Sequence, residues 1–281
     1  SRPDFLVRAI DSVLCQTYSN IEIIVVDDNG IDTKWQIATS KLLKEYIETK
    51  RIIYIPHKIN INGSAARNTG LRHSNGQYIH FLDDDDVFSP DKIERQINFL
   101  ENNDSIDATY CDTVFVENGT KRYFINPDTK HPASDLLLGK VLFNTSTLLF
   151  RRNVIECLNG FDESFIRHQD YELILRLCRK FKIEKTPDCY IYKYSTPNVV
   201  TRDPYKLIYY LEYFLSAFRD EIQSWPNANE VFHSQYLSLS RKLALNGYSK
   251  DALKYLIKSG KYKWPGIKNC LSIIYHITKK H

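Results

Sequence analysis

Long apolar segments are missing from this sequence. A membrane-spanning helix needs roughly 18 or more consecutive apolar residues, and the best candidate, residues 136–150, is interrupted by Lys140, Asn144 and three hydroxyl side chains. Residues 1–11 carry no secretory signal, because their apolar side chains already follow the spacing of a helix. We therefore expect a cytoplasmic protein without a membrane span.

Closely spaced cysteines are also missing. The six cysteines lie far apart, and no two of them form a C-x-x-C pair. This excludes a zinc site built from cysteine pairs and a small disulfide framework. Because most of the cysteines have apolar neighbours in the sequence, we expect reduced thiols in the core of a cytosolic protein.

A strong excess of one charge is missing as well. Lys and Arg number 38 against 34 Asp and Glu, which gives a formal net charge of +4. Without a local basic cluster, this balance does not predict a nucleic-acid partner. The composition is otherwise that of a folded protein, with 43% hydrophobic and 26% charged residues.

Strand-like and helix-like segments alternate in the first half of the chain. Residues 21–26 form an apolar run that ends in Asp27 and Asp28, and residues 78–82 form a second run that ends in the aspartates 83–86. This β-α-β-α-β order predicts an α/β fold with a Rossmann-like, mostly parallel sheet flanked by helices. Ligands of such sheets bind beyond the carboxyl ends of the strands, where both acidic clusters are expected.

The second half of the chain has a different pattern. From about residue 106 the strands are typical of antiparallel pairing, with a turn at Asn118-Gly119. From about residue 201 the pattern indicates helices only. We therefore expect one α/β domain over residues 1–200 and a helical C-terminal extension over residues 201–281.

The four consecutive aspartates 83–86 indicate a cation site. Like charges raise one another's pKa values, and a divalent cation would relieve their repulsion. Carboxylate oxygens suit Mg²⁺ or Mn²⁺, which often keep water and substrate phosphates as further ligands. A solvated acidic loop before the helix that begins near Pro90 is the alternative. The preceding buried strand favours the cation site, because it fixes the backbone and directs alternate side chains into one crevice.

These segments resemble glycosyltransferase family 2. The acidic segment and its preceding strand resemble the Asp-x-Asp metal-binding motif of that family, and the other motifs follow in the family's order over about residues 5–195. A lone Asp-x-Asp is a weak signal, whereas several ordered motifs are specific. The matching segments are residues 9–18, 22–28, 63–71, 76–86 with Pro90, and 160–165 with 168–173.

The resemblance implies a fold and a set of roles. Members of the family have the GT-A fold, an α/β domain that binds a nucleotide sugar, and they transfer the sugar with inversion. The resemblance implies that Asp170 is the catalytic base and that Asp85, together with Asp83, binds Mn²⁺ or Mg²⁺. It also implies a nucleotide-sugar site formed by Asp28, Arg67, Asp83 and Asp84.

Simpler roles compete with these assignments. Asp is favoured at helix N-caps, which is the alternative for Asp170. Asp27 and Asp28 could end a strand in a turn, and Arg67 could be a surface arginine. The segment formed by residues 195–202 contains Pro and Asn, and we expect it to be a mobile loop over the diphosphate.

The first strand of the family's fold has no counterpart in the sequence. The end of that strand normally helps to hold the nucleotide base, and a stable parallel sheet cannot lack a central strand. We therefore expect this strand to precede Ser1.

The C-terminal residues are strongly basic. Residues 250–281 carry eight lysines and a single acidic residue. Aromatic residues are interleaved with them, namely Tyr255, Tyr262, Trp264 and Tyr275. A basic face with aromatic anchors can rest on anionic lipid headgroups, which predicts peripheral contact with the inner face of the membrane and fits a lipid-linked acceptor. A solvated helical face is the alternative.

Together these features predict an inverting, metal-dependent glycosyltransferase. Its expected donor is a nucleotide-diphosphate sugar, with UDP as the first choice, and its expected acceptor is a hydroxyl of a surface polysaccharide, lipopolysaccharide or related glycan. One alternative is a nucleotidyltransferase, which needs a Gly-rich phosphate loop that the sequence does not contain. The other is an inactive sugar-nucleotide binder or scaffold, which has little need for a carboxylate at Asp170.

Overall fold

The computed structural model describes residues 3–194 and 203–278. The predicted loop over residues 195–202 lies outside the described residues. The strands are β1 (Ile24–Asp27), β2 (Ile53–Pro56), β3 (Tyr78–His80), β4 (Asp86–Phe88), β5 (Ala108–Glu117), β6 (Thr120–Phe124), β7 (Leu149–Arg151) and β8 (Ile183–Tyr194). The helices are α1 (Pro3–Leu14), α2 (Lys34–Leu42), α3 (Lys44–Glu48), α4 (Gly63–His73), α5 (Lys92–Glu101), α6 (Pro132–Leu138), α7 (Arg152–Cys157), α8 (Gln169–Cys178), α9 (Pro204–Ala217), α10 (Arg219–Gln223), α11 (Ala228–Leu245), α12 (Ser249–Gly260) and α13 (Ile267–Thr278).

The chain divides into two compact units. The first contains the described residues of Ser1–Lys130 and Leu142–Pro197, and the second contains those of His131–Val141 and Asn198–His281. The second unit thus includes α6, which we expected in the first domain. The physical reason is that Gln235 and Ser234 of α11 donate hydrogen bonds to the carbonyl groups of Leu137 and Leu138. The domain boundary at residues 200 and 201 stays a prediction.

The strands of the described residues form two sheets. β1 and β2 pair in parallel, with Ile24 opposite Ile53. The larger sheet has the strand order β3-β7-β5-β8-β4, and β6 pairs with β5. In that sheet β5 and β8 are parallel, whereas the remaining pairings are antiparallel. The α/β class is confirmed, and the pairing is more mixed than the mostly parallel sheet that we predicted.

Tight turns account for part of the antiparallel pairing. Asn118 and Gly119 have φ values of 48° and 79°, as the two-residue turns that match the strand twist require. They join β5 to β6 with Glu117 opposite Thr120. The turn predicted at Asn118-Gly119 is confirmed.

The core of the first unit fixes the strand that leads to the four aspartates. Ile79 and Phe81 are 5% and 8% exposed, and the Phe81 ring packs edge-on against Phe161 at a centroid distance of 5.0 Å. Cys111 and Cys189 are buried in the same unit. All six cysteines are free, but the expectation that most of them lie in the core is wrong, because Cys15 and Cys157 are exposed and Cys178 and Cys270 are only partly buried.

A cavity of about 1010 Å³ lies between the segments that contain β1 and β3. Its walls include residues 23–28 on one side and residues 76–84 on the other. Within the described residues β1 pairs with β2 and β3 pairs with β7, so β1 and β3 are not hydrogen-bonded neighbours. The strand expected before Ser1 stays a prediction.

The second unit is helical and has its own core. Phe214, Phe232, Tyr236 and Leu243 are at most 1% exposed. Glu212 of α9 accepts hydrogen bonds from Tyr255, at 3.0 Å, and from Lys258, both on α12. Among the described residues, no helix has both the length and the apolar composition that crossing a membrane requires.

Candidate active site

The acidic segment begins immediately after β3. The backbone N–H of Asp83 donates a hydrogen bond to Ser146 Oγ at 3.0 Å, which ties the start of the segment to the turn before β7. Asp83 and Asp85 are partly buried, Asp84 is exposed and Asp86 is fully buried. The four carboxylates therefore have different environments although they are consecutive in sequence.

Arg67 joins the acidic segment to the start of α8. Its guanidinium donates to Asp83 Oδ1 at 2.6 Å and to Gln169 Oε1 at 2.7 Å, and it lies over the Phe161 ring at 5.3 Å. The side chain is 21% exposed. Arg67 is therefore more than a surface arginine on its helix, because two hydrogen bonds and a ring contact hold its partly buried guanidinium in place.

The pKa of Asp83 lies below its ordinary value. Burial alone raises this pKa, but the positive charges of Arg67 and Lys193, with the hydrogen bond from Arg67, lower it by more. Asp83 is therefore ionised at neutral pH. Because the negative charge of Asp83 is in contact with the positive charge of Arg67, the two largely cancel at this point of the site.

Asp170 lies in the first turn of α8, beside Gln169. The N-cap position of the helix is His168, and the Asp170 carboxylate accepts the N–H of Tyr171 at 3.0 Å. Burial raises the pKa of Asp170 to about 6; Asp83 acts in the same direction and Arg67 in the opposite one. These influences place Asp170 within the electrostatic reach of the Arg67–Asp83 pair. Asp170 is not the N-cap of α8, which was the competing role.

Asp86, which is fully buried, and Lys193, which is partly exposed, form an ion pair that the sequence did not predict. The two residues are opposite each other in the β4–β8 ladder, and Lys193 Nζ lies 2.9 Å from both carboxylate oxygens. Burial raises the pKa of Asp86 to about 6, while Lys193 counteracts it. Burial lowers the pKa of Lys193, but Asp86, with Asp83 and Asp85, raises it overall. Lys193 is thus a cation within the field of the acidic segment.

Asp28 organises the loop that follows β2. Its Oδ1 accepts hydrogen bonds from His57 at 2.8 Å and from the N–H of Ile61 at 2.9 Å. Its Oδ2 accepts from Asn60 at 3.1 Å. The neighbouring Asp27 is buried and accepts a hydrogen bond from Tyr54 at 2.6 Å. Asp28 therefore does more than end a strand, because it holds a loop from the adjacent strand.

The structure brings most of the predicted residues together. The cavity described above is also lined by Asp28, Arg67, Asp83 and Asp84. Asp170 is linked to this group through Gln169 and Arg67, and Asp85 through its charge interaction with Lys193. Asp85 and Asp170 do not line the cavity themselves.

Three further residues at the site were not predicted. Gln169 lies within the motif beside Asp170, so its position was a usable signal. The sequence carries no signal for His57 or Lys193. His57 meets Asp28 only because β1 pairs with β2, and Lys193 meets Asp86 only because β4 pairs with β8. Such partners become visible only when the register of the sheet is known.

The acidic segment fits a divalent cation in part. Asp83 and Asp85 offer the carboxylate oxygens that Mg²⁺ and Mn²⁺ prefer. Over residues 3–194 and 203–278, however, no group of three or more His, Cys, Asp or Glu side chains is arranged to hold a metal ion. The described side chains can thus supply only part of a coordination shell, and substrate phosphates or water would have to supply the rest.

A family model identifies the family of the chain that carries this site. Residues 1–158 match the family model described as glycosyl transferase family 2, which is more than half of the chain. The chain belongs to glycosyltransferase family 2. The family resemblance predicted from the motifs is confirmed.

Curated glycosyltransferases match the chain over about 180 residues. An uncharacterised glycosyltransferase of Rickettsia typhi is 33% identical over 183 residues, which are 63% of this chain and 55% of that protein. The amylovoran biosynthesis glycosyltransferase AmsB of Erwinia amylovora is 29% identical over 179 residues, 61% of this chain and 58% of that protein. The chain spans about half the length of the curated relatives it matches.

Solved structures share the fold of this family 2 chain. TarS of S. aureus, residues 1–349 in complex with UDP-GlcNAc, has a TM-score of 0.62 at 15% identity, covering 98% of this chain and 84% of that one. The mannosyltransferase PcManGT of Pyrobaculum calidifontis, in complex with GDP-Man and Mn²⁺, has a TM-score of 0.60 at 16% identity, covering 99% and 77%. These similarities confirm the GT-A fold class.

Proposed function

We propose that the chain is an inverting, metal-dependent glycosyltransferase. It moves a sugar from a nucleotide-diphosphate sugar to an acceptor hydroxyl in the synthesis of a surface glycan. The observation that carries the proposal is Arg67, which contacts Asp83 on one side and Gln169, the neighbour of Asp170, on the other. The proposal is supported by this pair of contacts, because they link Asp83, on the proposed donor side, to the first turn of α8, which carries Asp170.

The relatives support the choice of substrates. A nucleotide sugar is the proposed donor, because structures of the same fold are in complex with UDP-GlcNAc and with GDP-Man, and a UDP-sugar is our first choice. A surface polysaccharide or lipid-linked glycan is the proposed acceptor, because a relative is named for amylovoran biosynthesis. We place the reaction at the cytoplasmic side of the membrane, where such acceptors would be reached.

Asp170 is the proposed base. As the acceptor oxygen forms its bond to the anomeric carbon, the bond from that carbon to the diphosphate breaks and the hydroxyl proton passes to the Asp170 carboxylate. Attack from the face opposite the leaving group inverts the anomeric configuration. A pKa of about 6 suits this role, because the carboxylate is ionised at neutral pH and still accepts a proton readily.

Donor binding is assigned to Arg67, Asp28, Asp83 and Asp84. Arg67 uses two contacts for Asp83 and Gln169, and a guanidinium has five N–H donors, so phosphate oxygens can bind to the others. Asp28 accepts three hydrogen bonds. A carboxylate has about four acceptor positions, which leaves one for an N–H of the nucleotide base.

Asp85 and Asp83 are the residues that would hold Mn²⁺ or Mg²⁺. A cation at this position would stabilise the negative charge that develops on the departing diphosphate. Lys193 lies within the field of the same aspartates and counters their mutual repulsion. The described side chains alone do not complete a metal site, so we expect tight metal binding only with the nucleotide present.

The test is a transfer assay that separates donor binding from turnover. UDP-, GDP- and dTDP-sugars are first screened by thermal shift with Mn²⁺ and Mg²⁺, since a bound donor raises the melting temperature. Asp170→Asn is then compared with the parent and with Asp104→Asn, which changes an exposed aspartate. We expect Asp170→Asn to bind the donor normally and to slow transfer roughly 100-fold or more, whereas Asp104→Asn retains parental turnover.

Two results would contradict the proposal in different ways. Near-parental turnover of Asp170→Asn would remove this residue from the mechanism. Donor binding without any transfer by the parent, across acceptors of the polysaccharide and lipid-linked classes, would favour the inactive sugar-nucleotide binder instead.

A further inference from the structure

α13 carries an exposed apolar face. The residues of this face are Ile267, Leu271, Ile274 and Tyr275, which are 70%, 61%, 44% and 56% exposed. Their spacing puts them on one side of the helix. On another side Ile273 is fully buried, and Asn269 accepts a hydrogen bond from Arg241 of α11 at 2.6 Å. α13 is therefore fixed to α11 while its apolar face stays accessible within the described part of the second unit.

Positive charge and an indole ring accompany the α13 face. Trp264 is 71% exposed and lies three residues before Ile267. Lys261 and Lys268 are exposed. Residues 250–281 contain eight lysines against one acidic residue, although Lys258 and Lys263 are ion-paired with Glu212 and Glu230. Trp and Tyr favour the boundary between apolar and polar regions of a bilayer, and clustered lysines attract anionic headgroups.

The positive charge of residues 250–281 favours one kind of surface over the others that could cover the α13 face. A second copy docked face to face would bring lysines against lysines, which opposes association. An anionic bilayer instead offers apolar chains beneath negatively charged headgroups. α13 has 12 residues, a length of about 18 Å at 1.5 Å per residue. This is too short to span a bilayer of about 30 Å and long enough to lie in its interface.

We propose that α13 is an interfacial helix that binds anionic membranes. The α13 face inserts between the headgroups, Trp264 and Tyr275 lie at their level, and Lys261 and Lys268 contact the lipid phosphates. The proposal does not depend on sugar transfer, so its failure would leave the proposed glycosyltransferase activity untouched.

The experiment measures binding of the full chain to large unilamellar vesicles by co-sedimentation. One set of vesicles contains phosphatidylcholine mixed with phosphatidylglycerol, whose negative charge attracts lysines, and the other contains phosphatidylcholine alone. We expect binding to the anionic vesicles and at least about tenfold weaker binding to the neutral ones. Binding should weaken further in high salt, because salt screens the attraction.

Two sets of variants separate insertion from charge attraction. Leu271→Ser with Ile274→Ser removes two exposed apolar side chains and should reduce partitioning at least about tenfold. Lys261→Glu with Lys268→Glu should also abolish most binding. Ile37→Ser with Ile125→Ser is the matched control, since these residues are 54% and 53% exposed in the first unit. Circular dichroism confirms that each variant is folded.

Three results would overturn the proposal. The parent chain could fail to bind anionic vesicles, or the α13 variants could bind as tightly as the control variant. The third is a dimer of the parent, detected by light scattering, that Leu271→Ser with Ile274→Ser dissociates without any effect of lipid. That result would assign the face to a second copy of the chain.

Discussion

At the scale of the residue, the raised pKa of Asp170 suits its proposed role as a base but makes the folded chain less stable at neutral pH. Its pKa is about 6 in the folded chain against an ordinary value of 3.8. The folded state therefore binds the Asp170 proton more tightly than the unfolded state does. The stabilisation that results is fully present below about pH 3.8 and is lost as the pH rises through about 6.

This linkage predicts the stability of Asp170→Asn as a function of pH. A neutral amide does not ionise, so the variant should gain stability relative to the parent as the pH rises from about 3.8 to about 6, with no further gain above that range. Two pKa units correspond to about 3 kcal/mol, which is the upper limit of the gain. Urea unfolding at each pH measures it, with Asp104→Asn as the control. A stability difference that does not change with pH would show that Asp170 has an ordinary pKa in the folded protein.

Single residues were predictable where a motif carries them. Asp28, Arg67, Asp83 and Asp84 stand in motifs of the sequence, and the structure places them around one cavity. The Asp86–Lys193 ion pair was not predictable, because 107 positions separate its members and only the β4–β8 register brings them together. The environments of the four aspartates were equally hidden, since burial depends on tertiary packing.

At the scale of the element, the length of a strand decides whether the sequence reveals it. β3, β4 and β7 have three residues each, which is too few for an alternating pattern to identify a strand or its direction. The β5–β6 hairpin was predictable, because its turn residues carry a specific conformational requirement. The antiparallel character of the larger sheet follows largely from the short strands and was therefore underestimated.

Two glycines of the first unit, Gly119 and Gly70, test whether the conformational requirement of a position predicts the effect of a substitution there. Gly119 has a φ of 79°, and a Cβ at this position would meet no neighbouring atom within 4 Å, so Gly119→Ala should destabilise the chain by about 1 kcal/mol through backbone strain alone. Gly70 lies in α4, and a Cβ there would meet Val26 at an ordinary 3.7 Å. Gly70→Ala should therefore stabilise by about 0.5–1 kcal/mol. Urea unfolding measures both changes, and equal signs would contradict the reasoning.

At the scale of the whole molecule, the sequence pattern separates an α/β part from a helical part. The family match covers residues 1–158, which all belong to the first unit except for segment 131–141. That segment joins the helical unit through contacts of α6 with α11. A contact between distant segments leaves no periodic signal, so the exact partition of the chain could not be predicted.

The two units should respond separately to a ligand and to a core mutation. UDP with Mn²⁺ binds the first unit under the proposed function, and a ligand at about 100 times its Kd stabilises its target by about 2.7 kcal/mol. Glu212→Gln weakens the contacts of α9 with Tyr255 and Lys258 in the second unit. Scanning calorimetry should therefore show the ligand raising one thermal transition and the mutation lowering the other. A single transition that both changes move together would show that the units unfold as one body.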